Sequence, residues 1–169
     1  MPWLHKEDLW DSVWHVTLYV LTGLPGSGKS THAAQLVAAT GARYVEMDAE
    51  VRARGLSLVD YEARFAIQPE VEASIPPLLA SGHSVVAEFG SWTREERDRL
   101  RLLAAASGVP TELHFVDAAV AVCAARVRAR GGLGAEALAS DVIEGSAHLF
   151  ERPSDEEAAE YDAFVIVTT

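Results

Sequence analysis

The chain is poor in several things at once, and each shortage excludes something. It has one cysteine, Cys123, so no internal disulfide framework is available and a reducing, cytoplasmic compartment is the default expectation. No Cys/His spacing of a zinc site occurs. No apolar run reaches the roughly 18 residues a membrane span needs, and the N-terminus lacks the basic-then-apolar layout of a secretory signal. Positive charge is short as well: 14 Lys and Arg face 25 Asp and Glu, a formal net charge of -11. Such a surface repels a polyanion, which makes nucleic acid a poorer partner than a small neutral or cationic molecule. Only Lys6 and Lys29 are lysines, so a lysine inside a motif carries more information than usual.

What is present suits one compact domain over residues 1–169, with 49% hydrophobic residues and neither internal repeats nor a low-complexity linker. The opening "MPWLHKEDLWDSVWHV" puts Trp3, Trp10 and Trp14 at i, i+7 and i+11, on one face of an expected amphipathic helix over residues 1–15. The segment is short and not basic, so its tryptophans are expected to pack on the domain rather than on a membrane, or to form a homodimer contact.

Five short stretches then read as strands: Val16 to Leu21, "RYVEMD" (43–48), "HSVVAEF" (83–89), "TELHFV" (111–116) and "AFVIVT" (163–168). Helical stretches lie between them. "STHAAQLVAAT" stops at Gly41; "TREE" at Thr93 to Glu96 opens a capped helix that stops at Gly108. Further helices are expected from Ala118 to Arg130 and from Ala135 to Leu149. Between Glu50 and Ala80, Pro69, Pro76 and Pro77 must break or begin helices, giving two or three short ones. Alternation of this kind predicts a three-layer α/β/α domain with a five-stranded parallel sheet, and ligands at the carboxyl ends of the strands.

Residues Gly23-Leu24-Pro25-Gly26-Ser27-Gly28-Lys29-Ser30 match G-x-x-x-x-G-K-[ST], with Thr31 following, between an expected strand and an expected helix. Glycines let backbone N–H groups turn inward around a β-phosphate, and the helix N-terminus adds its dipole. Lys29 would neutralise the β- and γ-phosphates and Ser30 would hold Mg²⁺. By composition alone the four required residues coincide about once per thousand such chains. No N-K-x-D guanine signature appears, so ATP and Mg²⁺ are the expected cofactors and a GTPase switch is not.

Phosphoryl transfer to a hydroxyl also needs a carboxylate near the acceptor, metal support and positive charge. Glu46 and Asp48, two apart at the end of the second strand, supply carboxylates: Asp48 as base or as the cap of a helix near Ala49, Glu46 as metal support or structural. Glu88 ends the third strand after "VVA", the hydrophobic-then-acid layout of a Walker B metal carboxylate, or is simply solvated. Arg126 and Arg130, four apart on one helix face, could cover the phosphates, with "GGLG" (131–134) beyond as a hinge. Phe89 and Trp92 offer a flat face to an acceptor, or belong to the core.

Residues 23–31, "MDAEVRARG" (47–55), "GHSVVAEFGSWTREERDRLRLLAAASGVPTELHFVD" (82–117), "AARVRAR" (124–130) and "FERPSDEE" (150–157) resemble the small P-loop kinase-like proteins. These are the zeta-toxin-type, chloramphenicol-phosphotransferase-like and polynucleotide-kinase-like enzymes, and the similarity covers nearly everything after the first helix. The resemblance implies a P-loop NTPase fold with strand order 2-3-1-4-5 and transfer of the ATP γ-phosphate to a hydroxyl. It places the base on Asp48 and the phosphate-covering arginines on Arg126 and Arg130, in line with the spacing. It implies residues 150–157 near the adenine and bears on Arg52 as a substrate-binding residue; with Glu88 and Trp92, Arg52 makes up the expected acceptor site. Two departures stand out. Arg52 lies four beyond Asp48 where the branch commonly has D-x-x-R, and Glu88 replaces a common aspartate. The expected activity is phosphorylation of a small molecule such as an antibiotic, sugar or nucleoside-like metabolite. The alternatives are a 5′-hydroxyl polynucleotide kinase and a non-catalytic ATP-binding switch.

Overall fold

The computed structural model describes residues 16–131 and 140–169. The tryptophan-bearing segment 1–15 and most of "GGLG" lie outside the described residues.

Burial on both faces builds the centre of the sheet. In β1 (Leu18–Thr22) every residue but Tyr19 is buried, as a strand covered on both faces must be. It pairs in parallel with β3 (Val85–Glu88) on one side and β4 (Thr111–Asp117) on the other. β2 (Arg43–Glu46) adds to β3 and β5 (Ala163–Thr168) to β4, so the order is the expected β2-β3-β1-β4-β5. Leu18, Val20, Val85, Ala87 and Leu113 turn to one face. There they meet α2 (Met47–Ala53), α3 (Tyr61–Ala73), α4 (Ile75–Ala80) and α5 (Arg94–Ser107) through Met47, Val51, Val71, Ile75, Leu79 and Leu100. Leu21, Val86 and Val116 turn to the other face and meet Ala33, Leu36 and Val37 of α1 (Lys29–Thr40). A third cluster joins Leu24 of the glycine loop to Cys123 and Val127 of α6 (Val120–Ala129) and Ile143 of α7 (Ser140–Ser146). It clamps the loop from outside, and burial pushes the Cys123 thiol up and keeps it inert.

Local signals account for the element ends. Gly41 and Gly108 close α1 and α5 in the left-handed conformation, and Thr93 with Glu96 forms the capping box in full. Pro76 and Pro77 sit in the first turn of α4, where no N–H is missed. Pro69, expected to break a helix, lies inside α3 instead. It is exposed, as is Phe65 one turn earlier, so the carbonyl left without its helical partner is on the solvent side, where water can serve it. The second strand is shorter than expected: it ends at Glu46, and α2 begins at Met47, whose fully buried side chain is drawn into the core.

Candidate active site

The glycine loop connects β1 to α1 and is shaped by what surrounds it. At Gly23, φ is 146° and a Cβ would stand 2.5 Å from the Val116 carbonyl oxygen; at Gly26, φ is 83° and a Cβ would stand 2.6 Å from that of Cys123. No side chain fits at either point, so the loop can approach β4 and α6 only as glycine. Lys29, at the start of α1, curls back and donates from Nζ to the Gly23 and Leu24 carbonyls at 2.9 and 3.0 Å. Burial holds its pKa below the ordinary lysine value, opposed by the charges of Glu88 and Asp48.

Ser30 donates from Oγ to Glu88 Oε1 at 3.2 Å. Glu88 and Glu46 are register partners at the ends of adjacent strands, and Tyr44 donates to Glu88 Oε2 at 2.5 Å. Burial first, then the charge of Glu88, pushes the Glu46 carboxyl up. Burial and the bond to Glu88 push the Tyr44 phenol up as well. Among the described residues no three of His, Cys, Asp and Glu converge into a ready-made metal cluster. A hydroxyl beside crowded carboxylates suits Mg²⁺, which takes one or two protein ligands and completes its shell with phosphate oxygens and water.

Asp48 is not the strand residue the spacing implied. It sits in the first turn of α2, where its carboxylate accepts from Arg64 Nη1, and it shares one cavity with the loop. Arg64, from α3, also donates through Nη2 to the Phe89 carbonyl at 3.0 Å, tying the candidate base to the loop after β3. That loop is held at further points. The Ser91 carbonyl accepts from Thr22 Oγ1 at 2.7 Å and from Arg97 Nη1 at 3.1 Å; Trp92 bonds through its carbonyl to Arg97 and to Glu151 N–H. Ser91, with φ 47°, is the non-glycine in the left-handed region among the described residues. Arg97 is fully buried and paired with buried Glu157 at 2.5 and 2.8 Å.

A cavity of about 640 Å³ joins these pieces: Lys29, Ser30, Glu46, Asp48, Arg64, Glu88, Trp92 and Arg130 all line it. Arg52 does not. Its guanidinium points to Glu46, 3.2 Å away, at the exposed surface. Arg126 is also absent from that lining. It braces the loop from behind, donating to the Gly26 and Ser27 carbonyls at 3.3 Å and to Thr169 Oγ1 at 2.9 Å. There it lines a second, smaller cavity of about 340 Å³ with Thr31, His32, Gln35, Arg130 and Val167. Residues 150–157, expected near the adenine, line neither cavity. Phe150 stacks on Phe115 at 5.8 Å, Arg152 pairs with Asp117 at 2.6 Å, and Glu157 serves Arg97.

Sequence reasoning missed Arg64, the Arg97–Glu157 pair and the Thr169 brace. Arg64 is 16 residues from its partner, beyond any local spacing rule. Nothing near Arg97 separates it from the arginines at 94, 99 and 101. The one available signal was Ser154, whose hydroxyl accepts from Glu157 N–H at 3.2 Å as a helix cap, marking where Glu157 must stand.

A family model described as an AAA domain matches residues 18–153. The chain belongs to that AAA-domain family. Its P-loop kinase-like fold is shared with solved structures. A gluconokinase from Sinorhizobium meliloti 1021 is 25% identical, with a TM-score of 0.61 over 92% of this chain and 83% of that one. Kti12 of Chaetomium thermophilum, in complex with ADP-AlF3, is 21% identical, with a TM-score of 0.66 over 89% and 88%. The APS kinase CysC of Mycobacterium tuberculosis, in complex with AMPPNP and APS, is 20% identical, with a TM-score of 0.58 over 90% and 88%. No curated protein matches the sequence. Among the described residues of this AAA-domain protein, no helix is long and apolar enough to cross a membrane.

Proposed function

We propose that this protein is an ATP- and Mg²⁺-dependent phosphotransferase that moves the γ-phosphate to a hydroxyl group of a small molecule. One observation carries the reading: the phosphate-type loop with Lys29 and Ser30 opens into the same cavity as the carboxylate of Asp48. A nucleotide binder that does no chemistry needs the loop alone.

In this reading the adenosine part of ATP lies in the second, smaller cavity, lined by Thr31, Gln35, Arg130 and Val167. The triphosphate passes over the loop amides toward Lys29. Ser30, with Glu88 and Glu46 behind it, would hold Mg²⁺, which would supply charge neutralisation for the phosphates. Asp48 faces the acceptor. The hydroxyl oxygen forms the new bond to the γ-phosphorus, the bond from that phosphorus to the β–γ bridging oxygen breaks, ADP leaves, and the hydroxyl proton passes to Asp48. Lys29 and Arg130 offset the charge that develops on the transferred group. Arg64 holds the Asp48 carboxylate in place through one of its oxygens.

The test is a transfer screen with γ-labelled ATP over nucleosides, sugars, aromatic alcohols and a 5′-hydroxyl oligonucleotide, with Lys29→Ala as control. Label is expected on a small hydroxyl compound and lost in the control. Tight ATP binding with no transfer to any acceptor would leave a nucleotide-binding switch as the better reading.

A further inference from the structure

The half of the deep cavity beyond the phosphates has a wall of unusual composition for a site that handles a polar group. Leu58, Tyr61, Phe65, Phe89, Trp92 and Leu149 line it. Tyr61 and Phe65 stand one turn apart on α3, on the same side of the helix, and Leu149 reaches the cavity from the short helix of residues 147–149. Phe89 is buried, but Tyr61, Phe65 and Leu149 are each more than half exposed. Large apolar side chains left open to solvent around a cleft mark a surface that a ligand covers.

The charged groups of that half already have partners, with one Asp48 oxygen left for an acceptor hydroxyl, while the buried Ser91 hydroxyl has none among the described residues. Asp48 and Arg64 are paired with each other, and the second guanidinium nitrogen of Arg64 is taken by the Phe89 carbonyl. Glu96 accepts from Thr93 N–H in the capping box, at 2.9 Å. The remaining cations of the lining, Lys29 and Arg130, stand at the phosphate end. A polyol placed here would set those of its hydroxyls that meet the apolar wall against carbon, where they lose water without a replacement partner. An anionic acceptor, such as the end of a nucleic acid, would face Asp48, Glu46 and Glu88 with no uncommitted cation to receive it.

From this wall we infer that the acceptor is an uncharged alcohol with a flat apolar body, aromatic or alicyclic, carrying one reacting hydroxyl. The inference rests on the phosphotransferase reading of the same cavity. The apolar body lies between the Tyr61–Phe65 face of α3 and Trp92, and the hydroxyl points to Asp48.

The experiment compares three acceptors on the full chain with ATP and Mg²⁺: 3-phenylpropan-1-ol, glucose and a 5′-hydroxyl oligonucleotide. It pairs turnover with ligand-observed saturation-transfer NMR of the alcohol. Phe65→Ser is the variant, because an exposed side chain can change without unfolding the domain. The expected result is label on the alcohol alone, with Phe65→Ser raising the alcohol's KM about tenfold and leaving the KM for ATP unmoved. Equal or faster turnover of glucose or the oligonucleotide overturns the acceptor class and leaves the kinase reading intact. Saturation transfer to the alcohol that Phe65→Ser abolishes, with no turnover of any acceptor, supports the class and overturns the kinase reading. The absence of both turnover and saturation transfer overturns the inference.

Discussion

The two halves of the cavity are built in opposite ways. The phosphate half comes from nine consecutive residues, Gly23 to Thr31, and works through backbone amides, one lysine and one hydroxyl. The half proposed for the acceptor is assembled from separate segments: α2 brings Asp48, α3 brings Arg64, Tyr61 and Phe65, the loop after β3 brings Trp92, and Ser146 and Leu149 also line it. The ligand-facing groups of the loop come from one stretch of chain, whereas an assembled face depends on every contact that holds its separate parts together. The lesson is where each half should break.

The largest effect is expected from Asp48→Asn, which removes the proposed proton acceptor while leaving the glycine loop whole. Turnover should fall about 10²- to 10⁴-fold, with ATP affinity little changed by calorimetry. Full activity in this variant would dismiss Asp48 as base. Lys29→Met tests the other half: kcat/KM for ATP should fall about 10²- to 10³-fold, by the same factor with every acceptor. An effect that varied with the acceptor would mean that the halves are not separable.

Glu157→Ala probes the hidden support of the acceptor face. It leaves Arg97 buried and unpaired, and urea unfolding should show a loss of about 3–5 kcal/mol. Because Arg97 also holds the Ser91 and Trp92 carbonyls, the acceptor KM should rise in this variant while ATP binding persists. Arg64→Met should lower kcat/KM for the acceptor about tenfold, the scale of one hydrogen bond to a charged group, and leave ATP binding unchanged. The smallest effect belongs to Thr93→Ala, which removes the α5 cap just after the Trp92 loop. It should cost about 1 kcal/mol in thermal or urea unfolding, and a loss several times larger would show that the loop and helix unfold as one unit.

The elements were legible wherever a local rule operates. Gly41, Gly108 and the Thr93–Glu96 pair marked helix ends because capping is decided within a few residues. The strands were legible because each is an apolar run bounded by turns. Met47 was misread as strand because its type suits either structure; burial against the core made it the first residue of a helix, and Asp48 moved with it. Pro69 was read as a breaker because the rule for proline ignores on which side of a helix the lost bond falls. Of the arginines, spacing singled out Arg126 and Arg130, and the fold put only Arg130 into the deep cavity.

By itself the sequence determined the phosphate-type loop and the alternation of strands and helices, since both rest on short-range backbone geometry and on the period of burial. Tertiary structure alone decided what faces that loop. Asp48 meets Arg64 across 16 residues and Arg97 meets Glu157 across 60, while Thr169 reaches the Ser27 carbonyl across 142. Such pairs form only where packing brings distant segments within hydrogen-bond reach. Their energies depend on burial, which no residue's neighbours in the chain record.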